Sequence, residues 1–430
     1  MTRKRDLLVI GNGAAGACAA FAAREVDPDI KITIFGKETY AEYSAPALPD
    51  YLSGELTKSK LMVRTEQEYK DKNIELVLDD EVVKINSKSK KVLLKSGTEY
   101  SYNNLILATG SFPIQLRRMK GTGLPGNFVT KTIDDIDAIL AYKGKRAVVV
   151  GSGAIGLEGS MALKARGYKD VTMVEALDWL SPKSLDKKTS DELTKALNGF
   201  GVEVLAGEGV QGVTGRKKVT GVITSKRKIP CDLILWGIGM RADTELAKNS
   251  GIELGELGGV KVDDHMRTNI PNIYACGDCV ESVDKLSGKP AMHLFWEPAQ
   301  RGGTIAGQNA AGLDKAYNGS IAIFLTHKGG LSICCFGKTE LALEGENTKI
   351  IEEKKGKAFR RLLFEDGMLV GAQMVNTMAD HDMLLDYISR TAVIRDNTYQ
   401  VNKPIEGLDG MTVRDVIKYL RKERRAVLKR

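Results

Sequence analysis

Apolar residues fall into short unbroken runs at residues 7–10 and 147–150, and each run passes at once into a glycine-rich turn. Runs of this length are strands rather than helices, and their continuity predicts burial on both faces. Behind each turn comes a stretch of small residues patterned as a helix, then a second apolar strand at 32–35 or 171–174. Each segment is therefore a β-α-β unit. Alternating positions predict further strands at 81–86, 91–95 and 99–102 after the first unit, and at 202–205, 210–213 and 219–224 after the second. Both segments close on a buried strand that enters a glycine turn, over residues 105–110 and 233–239.

The repeat sets the fold class. It is α/β, with two Rossmann-like nucleotide-binding domains of three-layer ββα design. No third unit follows: the run Asn272-Ile273-Tyr274-Ala275-Cys276-Gly277-Asp278 and a helical stretch over 299–311 return to the first domain. From about residue 321 strands prevail, with a hairpin turning at Asp366-Gly367, a helix near 380–391 and a last helix from Thr412. The expected domains are a first nucleotide-binding domain from residues 1–112 and 242–320, a second over 113–241, and a C-terminal α+β interface domain over 321–430. The last is the expected seat of a homodimer.

Composition narrows this picture. No apolar run approaches the roughly 20 residues of a membrane-spanning helix, and six scattered cysteines do not make a disulfide framework, so a cytoplasmic protein is expected. The net charge of +8 is concentrated at the end: residues 418–430 hold seven Lys or Arg against Glu423 alone. A nucleic-acid reader would spread basic charge over a folded face, so that class is excluded. The last helix is a solvated basic surface or a dock for an acidic electron carrier.

The candidate chemistry sits in the two glycine turns, Gly11-Asn12-Gly13-Ala14-Ala15-Gly16 and Gly151-Ser152-Gly153-Ala154-Ile155-Gly156. The first glycine of each permits the tight turn, the second leaves room for a pyrophosphate, and the third lets helix and strand approach. Free N–H groups at the helix start then face the phosphates. Glu175, at the end of the second strand of the second unit, is placed to accept the adenosine ribose hydroxyls and would repel a 2′-phosphate, which predicts NADH over NADPH. In the first unit that position is Gly36, and the nearest carboxylate is Glu38. Glu38 is expected to take the ribose of the first nucleotide.

These motifs, with Ala108-Thr109-Gly110, the pair Leu157-Glu158 after the second loop, and Ile273-Tyr274-Ala275-Cys276-Gly277-Asp278, resemble the FAD-dependent pyridine nucleotide–disulfide oxidoreductase family over residues 1 to about 320. The resemblance implies FAD at the first loop and NADH at the second, near Gly239, with hydride passing from NADH to the flavin N5. It implies that Asp278 bonds the ribityl chain, that Glu158 lies near the nicotinamide and flavin, and that the helix entered through Trp296 and Ala299 faces the flavin. Coenzyme A disulfide reductases, NADH peroxidases and water-forming NADH oxidases are similar around residues 43–49 but carry a redox cysteine where this chain has Pro46. Proline cannot form a mixed disulfide or a sulfenic acid. The peroxidase and oxidase pattern also has a histidine at the position of Ala14. The segment looks instead like rubredoxin and ferredoxin reductases, which implies a redox-protein acceptor, with an oxygen-reducing NADH oxidase or a subunit of a larger redox complex as alternatives.

The remaining candidates are structural. Cys276 and Cys279 bracket the FAD motif itself, and the alternation of a strand sends Cys334 and Cys335 to opposite faces. Cys18 reads as a small core residue. His265, His293, His327 and His381 show no metal spacing, and no metal is expected.

Overall fold

The computed structural model describes residues 6–116, 118–390 and 404–427. Thr391 of the expected helix, and Leu428, Lys429 and Arg430 of the basic tail, lie outside the described residues, as do the side chains of Arg425 and Val427. Two parallel sheets of five strands dominate. In the first, Ile273–Ala275, Asn104–Leu107, Asp6–Ile10, Lys31–Phe35 and Ile74–Val77 lie side by side in that order. The second runs Val202–Leu205, Asp170–Val174, Arg146–Val150, Leu233–Trp236 and Asn127–Phe128. The same apolar runs that predict strands are wholly buried at Leu7, Val9, Val149 and Leu235, because helices cover one face and a small antiparallel sheet the other. Those covers are Val82–Asn86, Lys91–Leu94 and Glu99–Ser101 in the first unit, and Val210–Gly215, Val219–Thr224 and Lys228–Pro230 in the second.

Two helices from distant stretches of the chain pack on the first sheet, Ala14–Val26 and Trp296–Ala310. Gly303 and Gly307 allow the contact, since a Cβ on either would collide with the carbonyl of Ala15 or Ala19. The second helix starts three residues before the expected 299, because proline is tolerated in a first turn and Pro298 stands there. Short strands Ser111–Pro113 and Met240–Ala242 pair antiparallel where the chain passes between the two units.

The third unit is an antiparallel sheet in the order Ile323–Lys328, Leu331–Gly337, Met368–Val375, Ala358–Glu365 and Thr348–Lys355, packed against helices His381–Arg390 and Val413–Val427. Cys334 enters the core shared with those helices and Cys335 the core shared with the second unit, so the two thiols do face opposite ways. Arg361, almost fully buried, reaches Asp186 of the second unit at 2.9 Å and also pairs with Glu340 and Glu352. The capping pair Thr412 and Asp415 is formed: the Asp415 amide donates to Thr412 Oγ1, and the Thr412 amide to Asp415 Oδ2. No helix among the described residues is long and apolar enough to cross a membrane.

Candidate functional site

Both glycine loops leave a central strand and enter a helix in the same way. The Gly11 amide donates to Phe35 O and the Gly151 amide to Val174 O, each at 2.8 Å. Gly11 (φ +109°) and Gly151 (φ +95°) adopt a backbone closed to other residues, and a Cβ there would strike the carbonyl of Ala108 or Gly237. Gly16 and Gly156 are equally pressed, each against the carbonyl of the loop's first glycine. A Cβ at Gly13 or Gly153 would meet nothing within 4 Å, so the middle of each loop faces open space. No side chain caps the helices that begin at Ala14 and Ala154. Uncapped N–H groups at a glycine-walled opening fit a pyrophosphate twice over. Asn12 adds a buried Nδ2 with no hydrogen-bond partner among the described residues, while its Oδ1 accepts from the Tyr69 hydroxyl at 2.7 Å.

The loops differ at their acids. Glu175 Oε2 accepts from the Ser152 amide at 3.0 Å and from Ser152 Oγ at 2.6 Å, and Oε1 accepts from the Leu177 amide at 3.0 Å. It is therefore fixed on the second loop. Glu38 has no such bond to the first loop among the described residues: it is half-buried and accepts from the Tyr43 hydroxyl at 2.9 Å. Burial pushes its carboxyl above the usual range, and the Tyr43 bond opposes that shift. At Gly36 a Cβ would stand 2.9 Å from Leu78, so the first unit has little room for an acid where the second has Glu175.

Asp278 follows the strand Ile273–Ala275 and is brought beside the turn Ala108, Thr109 and Gly110 by the parallel pairing of that strand with Asn104–Leu107. Its Oδ2 accepts from Ser111 Oγ at 2.7 Å, and Lys131 Nζ lies 3.5 Å away and donates to the same Ser111 Oγ at 3.1 Å. Ser111 and Lys131 escape sequence reasoning because they join Asp278 only through the fold. Thr109 Oγ1 donates to Asp243 O at 2.6 Å, just after the turn at Gly239. Trp296 opens its helix with no side-chain cap on Phe295, and Ala299 is buried one turn later.

Glu158 lies on the helix Ala154–Ala165, one turn beyond Ile155, and its carboxyl is pushed up to about 7. Burial is the main cause; Asp50 raises it further, whereas a bond from Thr326 and the nearby Lys328 lower it. Asp50 belongs to the helix Leu48–Ser53, which begins directly after the turn Ala45–Ala47, where Pro46 is exposed. Asp50, four residues after Pro46, is thus within electrostatic reach of Glu158.

All six cysteines are free, five of them buried and Cys18 half-buried. Burial raises the Cys18 thiol, and Cys231 and Cys334 are each pushed up to about 12. Cys279 Sγ lies 3.2 Å from Cys276 O, inside the core beside the turn Gly277-Asp278. His293 is held by Ser320 at 2.8 Å, and burial lowers it. Among the described residues only Asp263, Asp264 and His265 bring three possible metal-ligating atoms within 4.8 Å, and the two carboxylates are exposed.

Residues 5–300 match the model of the pyridine nucleotide-disulphide oxidoreductase family. The chain is 33% identical over 394 residues to a protein of Methanocaldococcus jannaschii named NADH oxidase, covering 86% of this chain and 87% of that one. Among solved structures, an NAD-dependent persulfide reductase from A. fulgidus superposes with a TM-score of 0.85 at 25% identity, covering 98% of this chain and 84% of that chain. A ferredoxin reductase from Rhodopseudomonas palustris superposes with a TM-score of 0.81 at 26% identity, covering 91% and 98%.

Proposed function

Because the chain belongs to the pyridine nucleotide-disulphide oxidoreductase family and is a flavin oxidoreductase that uses NAD(P)H, we propose that it takes electrons from NADH and delivers them to a redox protein such as a rubredoxin or ferredoxin without a cysteine intermediate. The observation that carries this reading is the state of the thiols. Nucleophilic or peroxide-reducing cysteine chemistry needs an accessible thiolate, and every cysteine here is buried or half-buried, while exposed Pro46 occupies the turn beside Asp50. The likeness to a ferredoxin reductase supports a protein acceptor. The relative named NADH oxidase favours a second reading, in which oxygen takes the electrons.

Gly11, Gly13, Ala14, Ala15 and Gly16 hold the FAD pyrophosphate, with Ala108, Thr109 and Gly110 alongside. Asp278, backed by Ser111 and Lys131, holds the ribityl side, and Glu38 the adenosine ribose. Trp296 and Ala299 present a helix N-terminus whose positive end favours an anionic ring. Gly151, Gly153, Ile155, Gly156 and Gly239 receive NADH, and Glu175, already fixed by Ser152, accepts its ribose hydroxyls and excludes a 2′-phosphate. FAD, when bound, supplies a hydride acceptor that can release electrons singly. Glu158 holds a proton at its carboxyl below a pH of about 7 and a negative charge above it, beside the nicotinamide. Cys18→Ser should reduce the carrier protein at the wild-type rate. A collapse of turnover in that variant would overturn the cysteine-free route.

A further inference from the structure

Lys328 has an unusual place for a lysine. It ends the strand Ile323–Lys328 of the third unit, yet its side chain is only 2% exposed because it points into the first. Nζ donates to Asp50 Oδ1 at 2.6 Å, to Ser53 Oγ at 3.0 Å and to Pro49 O at 3.4 Å, and Glu55 Oε2 lies 3.4 Å away. An ammonium has three donors, and all three find acceptors on one short helix, Leu48–Ser53. Burying a charge is costly unless it is fully paired, and removing one partner of such a pair is more costly still. Gly329, which follows, is pressed against Phe200 of the second unit. Two residues earlier on the strand, and so on the same face, Thr326 bonds the Glu158 carboxyl. One strand face of the third unit therefore engages both the helix behind Pro46 and the acid on the second nucleotide helix.

We propose that Lys328 is a positioning residue, which locks the helix Leu48–Ser53 behind the Pro46 turn and, with the Asp50 it holds there, sets the charged surroundings of the Glu158 carboxyl. This rests on the reading of Glu158 as a neighbour of the nicotinamide. The groups that act on Glu158 are Asp50 from the helix Leu48–Ser53 and Lys328 and Thr326 from the strand Ile323–Lys328. The two charged ones act in opposite directions. A nearby cation favours the carboxylate, so its loss moves ionisation to higher pH; a nearby anion does the reverse.

The test is an infrared titration of the carboxyl band in the flavin-loaded protein without NADH, assigned by its disappearance in Glu158→Gln. Lys328→Met should shift the midpoint to higher pH, and Asp50→Asn should shift it to lower pH. In Asp50→Asn the Lys328 ammonium still faces Glu55, so this variant tests the idea even where Lys328→Met does not fold. The midpoint of the pH profile for flavin reduction by NADH should move with the band, with the limiting rate changed more than KM. Shifts in one direction for both variants, or none in either, overturn the role of Lys328. If Glu158→Gln leaves reduction by NADH unchanged at every pH while the band still moves as expected, Lys328 retains its effect on Glu158 and only the nicotinamide reading falls.

Discussion

The two glycine loops share a strand, a left-handed first glycine and an uncapped helix, and they diverge at the residue that follows the second strand. In the second unit that residue is Glu175, held on the loop by Ser152. The first has Gly36, close to Leu78, and its nearest acid, Glu38, is held by Tyr43 instead of by the loop. One loop presents a preset carboxylate at its mouth, suited to a substrate that comes and goes with its ribose read each time. The other is walled by the helix Trp296–Ala310 and by Asp278, suited to a cofactor that stays. The proposed function thus assigns equal motifs to unequal residence times, and the surroundings rather than the glycines make the difference.

Substitution of the first glycines gives the largest effect and should separate the loops. Gly11→Ala forces a Cβ into the Ala108 carbonyl, and the purified protein should lack flavin absorbance. Gly151→Ala, strained in the same way, should keep its flavin but raise the KM for NADH by about tenfold to a hundredfold. Flavin loss from both variants would break the comparison. Next in size, Glu175→Ala should raise the KM for NADH about tenfold, the worth of hydrogen bonds to a charged group, and lower that for NADPH, whose 2′-phosphate no longer meets a carboxylate. Glu38→Ala should leave the nicotinamide kinetics untouched.

A smaller effect is expected on stability. The Glu158 carboxyl is raised from 4.5 to about 7 in the folded chain, so the folded state keeps a proton that the unfolded chain has lost between those values. Its contribution to stability falls as pH rises through that window and is lowest above it. Glu158→Gln should therefore raise the melting temperature at pH 8 and leave it nearly unchanged near pH 4.5, as differential scanning fluorimetry would report. Equal shifts at the two pH values would contradict the burial of this group. The smallest effect concerns the basic tail. Arg421 pairs with Asp380 at 2.6 Å and Arg424 with Asp386 at 3.8 Å, both at the surface, where ion pairs contribute roughly 0–1 kcal/mol. The helix packs by the edge strand Thr348–Lys355, at the opposite edge of the sheet from Lys328. Deleting residues 421–430 should lower the melting temperature slightly and slow carrier reduction by less than about threefold, which a salt series would confirm.

What the sequence makes legible here is local. The strands and glycine loops follow from apolar runs and from positions where only glycine fits, and Glu175 from its place at a strand end. The partners of those residues are another matter. Ser111 meets Asp278 across 167 positions, and Lys328 meets Asp50 across 278. No periodicity encodes such pairs, and a buried lysine at a strand end reads in sequence like any exposed one. The helix start at Trp296 is hidden for a different reason, because Pro298 looks like a boundary but is compatible with a first turn.

The central claim is that electrons leave without passing through a thiol. The most direct measurement is rapid-mixing reduction by NADH followed by reoxidation with rubredoxin, ferredoxin, a quinone, coenzyme A disulfide or oxygen. Fast reoxidation by rubredoxin or ferredoxin and slow reoxidation by coenzyme A disulfide is the predicted result. Fast reoxidation by coenzyme A disulfide would contradict the account drawn from Pro46 and the buried cysteines.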